Sequence, residues 1–205
     1  MLLQAENTSS IVIDVQERLM PVMSDKEVLE KNICTLIRGL KTLDIPMVVT
    51  QQYTKGIGMT IPSVREALES DDYFDKKSFS CYGDPAVKEA VDKLGRKEVL
   101  VFGIEAHICV LQTCLELAEN GYTPILVTDC VSSRRLSDKE TGIRRAIQEG
   151  IRVTTCESVL FELMRGAYHP DFKVISKLNL PFYQASGCRK DHHRRRFWRP
   201  TACRI

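Results

Sequence analysis

Residues 98–129 read EVLVFGIEAHICVLQTCLELAENGYTPILVTD, and the residue pattern changes twice within them. EVLVFG (98–103) and TPILVTD (123–129) are short apolar runs, each with the length and aliphatic content of a strand buried on both faces. Between them, residues 106–120 have the length of a helix, and Gly121 supplies a stop. Strand, helix and strand in this order make a parallel crossover unit. The unit recurs: SSIVIDV (9–15), PMVVTQQ (46–52) and IRVTT (151–155) are further strands in the same style. Residues 25–44 place Val28, Ile33, Leu36, Ile37 and Leu40 on one helical stripe. Residues 85–94 do the same with Val87, Ala90, Val91 and Leu94 before Gly95, and residues 138–149 precede Gly150. The economical fold is a three-layer α/β/α domain with a mainly parallel, Rossmann-like sheet of about six strands. The stretch 53–83 has no regular period, and its Gly56, Gly58 and Pro62 predict a loop folded over one end of that sheet.

Size and composition bound the rest. The chain has 205 residues, enough for one domain with a sizeable core and short for two. Its 43% hydrophobic and 27% charged residues suit a soluble globular protein. Residues 1–10, MLLQAENTSS, lack the basic start and long apolar stretch of a signal peptide, so a cytoplasmic protein with no membrane association is expected. Of eight cysteines, Cys34, Cys81, Cys109, Cys114, Cys130 and Cys156 are scattered through regular segments without a CxxC pair, which favours free thiols. No His precedes His107, so no metal site and no cofactor are expected. The net charge of +2 conceals an asymmetry, because residues 182–205 hold six Arg, one Lys and one Asp while residues 1–181 are net acidic. Residues 1–181 are therefore taken as the domain. Residues 182–205 are expected to be a separate, disordered basic extension, either contacting nucleic acid or an acidic surface through its Arg cluster and Trp198, or without a role.

In an open parallel sheet, ligands bind beyond the carboxyl ends of the strands. Asp14 ends the first strand, Gln51 and Gln52 end the second, and Cys109 lies about one turn past Gly103. Backbone N–H groups at a helix start favour an anion there, which predicts a thiol that ionises readily and a place for an oxyanion. A carboxylate with raised proton affinity, such as a buried Asp14, is suited to take the thiol proton. Lys76 or Lys77, in FDKKSFS, would supply an ammonium for both anions. Taken singly, each has an ordinary reading: a packed small residue, a strand-end cap, a surface charge. Their arrival at one edge of one sheet favours a site. His107 is two residues from Cys109 and points elsewhere on a helix, so it reads as a surface or subunit-contact residue. His169, Cys114 and Cys130 receive equally plain readings.

IVIDVQERL, FDKKSFSCY and GIEAHICVLQTCLELAENGYTPILVTDCVSS together resemble the successive motifs of the isochorismatase-like cysteine hydrolases. The likeness covers nearly all of the chain to about residue 180. TQQYTKGIGMTIP and YHPDFKVISKL are similar to the subgroup of isochorismatase domain-containing proteins. The resemblance implies an Asp14–Lys76–Cys109 triad, with Lys76 chosen over Lys77 because it precedes Phe79 by three residues and Ser80 by four. It also implies a cis peptide at Ile104–Glu105, an oxyanion hole from the N–H groups of Glu105 and Cys109, and assembly into homo-oligomers. Leu19, Gln52 and Tyr53 sit on segments expected to border a small-molecule substrate pocket. The Asp-x-His metal site of nicotinamide-hydrolysing members is missing from TQQYTKGIG. Retention of Cys109 points to acyl rather than enol-ether chemistry. The expected function is hydrolysis of a small amide-type C–N bond through a thioester. The alternatives are an idle homologue that binds or scaffolds, and nucleic-acid binding through the basic extension.

Overall fold

A computed structural model describes residues 2–179 of the chain. The basic extension at 182–205 and its proposed nucleic-acid contacts lie outside the described residues.

Six strands form one all-parallel sheet: β1 (Thr8–Ile13), β2 (Met47–Gln52), β3 (Phe74–Lys76), β4 (Glu98–Ile104), β5 (Thr123–Ser132) and β6 (Arg152–Thr154). Their order is β3-β2-β1-β4-β5-β6. The chain therefore winds outward from β1 in one direction, returns to the centre at β4, and winds outward the other way. Right-handed crossovers then place the helices between β1 and β3 on one face and those between β3 and β6 on the opposite face. Helix α1 (Lys26–Thr42) is the long crossover of the first half, α2 (Thr54–Ile57) and α3 (Pro62–Leu68) lie between β2 and β3, and α4 (Pro85–Leu94) carries the chain back to β4. After β4 come α5 (Leu111–Glu119) and α6 (Leu136–Gln148), then α7 (Cys156–Met164) and α8 (Phe172–Asn179) after β6. Helix α1 packs against α3, α7 and α8, whereas α5 packs against α6.

β1 and β4, side by side at the centre, are buried at every position, which is why Ile11–Ile13 and Val99–Phe102 run apolar without alternation. On α1 the buried stripe is Leu29, Ile33, Leu36, Ile37 and Leu40. Val28, placed on that stripe by its spacing, is 60% exposed instead; Leu29 takes its position. Helix α4 follows the expected pattern, with Asp84 accepting from the N–H groups of Ala86 and Val87 at its start and Gly95 in the left-handed region at its end. The stretch 53–83 is not the loop its irregular sequence suggests. It folds into α2, α3 and the edge strand β3, whose three residues are too few to show a period.

Candidate active site

The site lies beyond the carboxyl ends of β1 and β4, where the strand order reverses direction. Asp14 directly follows β1 with φ of 53°, and its N–H still reaches the Thr50 carbonyl on β2 at 3.2 Å. That last bond in the ladder fixes the carboxylate at the end of the sheet. From β3, Lys76 turns inward and its neighbour Lys77 outward, as alternation along a strand requires. Lys76 is fully buried, and its Nζ donates to Asp14 Oδ2 at 2.7 Å, Gln52 Oε1 at 2.6 Å and the carbonyls of Ser78 and Phe79 at 3.1 and 3.2 Å. An ammonium has three hydrogens, so four acceptors saturate it. Lys76, the lysine preferred by resemblance, is the buried one of the two, and Lys77 is exposed.

Cys109 comes from the other half of the sheet. Its approach requires Gly103, whose φ is +121° and where an added Cβ would stand 2.1 Å from the Ile13 carbonyl oxygen of β1. The peptide bond between Ile104 and Glu105 is cis. Residues Ala106–Val110 then form a wide π-type turn, and the α-helix proper starts only at Leu111. Cys109 sits in that turn, 7% exposed, with its thiol close enough to the Asp14 carboxylate for each to shift the other's proton affinity. Thr113 Oγ1 donates to the Cys109 carbonyl at 2.6 Å and accepts from the Cys81 N–H at 2.9 Å, tying the Cys109 turn to the loop that follows Lys76.

The electrostatics differ from expectation in one respect. Burial raises the proton affinity of Asp14, against the opposing charge and hydrogen bond of Lys76 and the hydrogen bonds of Thr50 and Cys109. Burial would lower the pKa of Lys76, but Cys81 and Cys109, which turn negative only at high pH, and the Asp14 carboxylate more than reverse this, so it is held as an ammonium. The Cys109 thiol is not made easier to ionise: burial, then the charge of Asp14, pushes it well above the ordinary thiol range despite Lys76. Burial outweighs the helix-start effect because the thiol is shut from water and faces a carboxylate.

The other expected residues are placed less uniformly. Gln52 touches the triad directly, holding Lys76 with Oε1 and the Lys77 carbonyl with Nε2 at 3.0 Å. Leu19 is partly buried against the core, and the Tyr53 ring, 47% exposed, lies over Gly56. The Glu105 side chain accepts from the N–H and Nε of Arg134, at 3.0 and 3.2 Å. His107 is partly buried, with Nδ1 2.9 Å from Ser133 Oγ, and so is neither a triad member nor a free surface residue. Cys114 and Cys130 are core thiols, and the six described cysteines are unpaired. Among the described residues no three His, Cys, Asp or Glu side chains are grouped as metal ligands.

Residue types alone did not single out Thr50, Cys81, Thr113 or Gln16. Gln16 is fully buried, donates to the carbonyls of Gln52 and Gly58 at 3.1 and 2.7 Å, and accepts from the Gln52 N–H at 2.7 Å. The Asp-x-Gln spacing was its only signal. No helix among the described residues is long and apolar enough to cross a membrane.

The isochorismatase domain family matches residues 8–158. A secreted isochorismatase effector, Isc1, from Phytophthora sojae is 36% identical over 171 residues, 82% of this chain and 81% of that protein. Isochorismatase domain-containing protein 2 from Danio rerio is 33% identical over 178 residues, 86% of this chain and 88% of that protein. Among solved structures, a protein named MAR1 ribonuclease from Caenorhabditis elegans superposes with a TM-score of 0.83 at 34% identity, covering 92% of this chain and 97% of its own. The Escherichia coli ycaC product, described as an octameric hydrolase of unknown specificity, shares the fold with a TM-score of 0.84 at 19% identity, over 90% of this chain and 93% of its own.

Proposed function

Because the chain belongs to the isochorismatase family, we propose that it is a cysteine hydrolase acting on a small amide-type C–N bond. The observation that carries the proposal is one buried cluster drawn from both halves of the sheet: the Lys76 ammonium 2.7 Å from the Asp14 carboxylate, with the Cys109 thiol beside them and under the influence of both charges. In the resting protein the thiol keeps its proton and Lys76 stays charged. A substrate carbonyl then approaches Cys109. Asp14 takes the thiol proton as sulfur bonds to the carbonyl carbon, and the oxyanion is met by the N–H groups of Glu105 and Cys109. Collapse breaks the C–N bond, the amine leaves with the proton from Asp14, and a thioester remains. Water, deprotonated by Asp14, attacks the thioester, and the acid departs as the sulfur recovers its proton. General-base and oxyanion assistance each contribute a factor of about a hundred or more.

The raised proton affinity of Asp14 suits a base, and the raised pKa of Cys109 means that the thiolate forms during the reaction rather than before it. RNA cleavage, stated by name for the C. elegans protein, fits the cluster poorly, because its one ammonium is buried and already saturated by four acceptors. Homo-oligomeric assembly, named for the E. coli relative, is carried over here as part of the proposal.

The test is a screen of small amides and carbamates with mass spectrometry of the Cys109 peptide. An acyl adduct and released amine are expected with the native chain, and neither with Cys109→Ala. Equal turnover by both would remove the nucleophile from the scheme.

A further inference from the structure

Three donors converge on the Asp14 carboxylate, and one of them has no part in the reaction scheme. Lys76 Nζ donates to Oδ2 at 2.7 Å, Cys109 supplies the transferred proton, and Thr50 Oγ1 donates to Oδ1 at 2.8 Å. Thr50 Oγ1 also lies 3.4 Å from Cys81 Sγ. A hydroxyl has one hydrogen and a carboxylate only accepts, so the Thr50 hydrogen goes to Asp14 and Cys81 must donate to Thr50. The result is a directed chain from Cys81 S–H through Thr50 O–H to Asp14 Oδ1. Thr50, Cys81 and Asp14 are each fully buried, leaving no water to replace a link. Thr113 holds the far end, binding the Cys81 N–H and the Cys109 carbonyl through the same oxygen.

Resting on the hydrolase reading above, we propose that Thr50 is a positioning residue, oriented by Cys81, that commits one Asp14 oxygen and so fixes the carboxylate plane relative to Lys76 and Cys109. The Thr50 hydrogen bonds the ionised form of Asp14, so it restrains the rise in proton affinity that burial imposes. The titratable groups facing Asp14 are Lys76 from β3, Cys81 from the turn before α4 and Cys109 from the turn before α5. Neither Lys76 nor Cys81 can substitute for Thr50 at Oδ1: Lys76 is saturated by its own four acceptors, and the buried Cys81 thiol, its pKa pushed up to about 12, remains a neutral donor to Thr50.

The experiment is a pH titration of the Asp14 side-chain carbon by NMR in ¹³C-aspartate-labelled protein, its signal assigned by its loss in Asp14→Asn. Thr50→Val keeps the shape and removes the donor; its midpoint should rise by about one pH unit or more. Thr50→Ser should restore the native midpoint, and Cys81→Ala should give a smaller upward shift. A Thr50→Val midpoint equal to the native one overturns the proposal, as does a Cys81→Ala midpoint equal to it for the relay. If Thr50→Val does not fold, Cys81→Ala and Thr50→Ser decide the matter by the same readout. No substrate is needed, so failure of the hydrolase reading, seen as no acyl adduct on Cys109, is distinguishable from failure of the positioning role.

Discussion

Lys76 and Asp14 are both fully buried and bonded to one another, so each is tolerable only because of the other. Removing one partner leaves an uncompensated charge in the interior, and Lys76→Met should cost about 3–5 kcal/mol in urea unfolding. Lys77→Ala, at an exposed position, should stay within about 0.5 kcal/mol of the native value. The Lys76→Met, Asp14→Asn double variant should cost less than the sum of the two, because the groups are in direct contact. A loss under about 1 kcal/mol for Lys76→Met would mean that water reaches the pair. At Cys109, burial and the Asp14 charge both disfavour the thiolate. Its alkylation by iodoacetamide should therefore have a half-point above about 8.5, the value of a free thiol. Asp14→Asn removes the repelling charge while Lys76 remains, so the half-point should fall even though turnover is lost. A native half-point at or below the free-thiol value would contradict the upward shift that burial and Asp14 impose. Asp14, Cys109 and the pair Lys76 and Lys77 could be named as candidates from residue type and position, with Lys76 preferred by resemblance, but the sign of the cysteine shift could not be read. It depends on how completely neighbouring segments cover the sulfur, which no local pattern records.

Among the elements, the close approach of β4 to β1 makes one glycine indispensable. Gly103→Ala would drive a Cβ to 2.1 Å from a backbone oxygen that cannot rotate away, at φ of +121°. Strand separation at the site should follow, with a loss of at least about 2 kcal/mol in denaturant unfolding and loss of the Cys109 adduct. The start of α4 is a milder case. Asp84 caps two N–H groups there, and Asp84→Ala should cost about 1 kcal/mol without altering chemistry at Cys109. Long elements announced themselves, since α1 and α4 have enough residues to display a period and β4 carries an unbroken apolar run. β3 did not. Three residues at a sheet edge cannot show an alternation, and what makes Phe74–Lys76 a strand is pairing with β2 at Thr50, Gln51 and Gln52. The same holds for β5, expected to end near Asp129. It continues to Ser132 through a shift in register against β4, and so brings Ser133 to His107 and Arg134 to Glu105.

For the whole molecule, burial falls from the centre of the sheet to its edges. β1 and β4 are covered on both faces, whereas β3 and β6 are short edge strands that each pair on one side. Amide hydrogen exchange should be slowest in Ile11–Ile13 and Val99–Phe102 and fastest among strands in Arg152–Thr154 and Phe74–Lys76. Slower exchange at either edge than at the centre would contradict this order of stability. The site sits where that rigid centre ends, so Asp14 and Cys109 are carried by the two best-held strands, and only Lys76 depends on an edge. The sequence by itself determined the parallel α/β class, the long helices and the types of the reacting groups, because apolar runs, glycine stops and residue spacing are local and each is written in contiguous residues. Only the tertiary structure decided that Thr50 touches Asp14 and Cys81 touches Thr50, that Lys76 is buried among four acceptors, and that burial raises the pKa of the thiol. Those facts arise from residues tens of positions apart being closed together away from water, and solvation is a property of the packed molecule rather than of any segment.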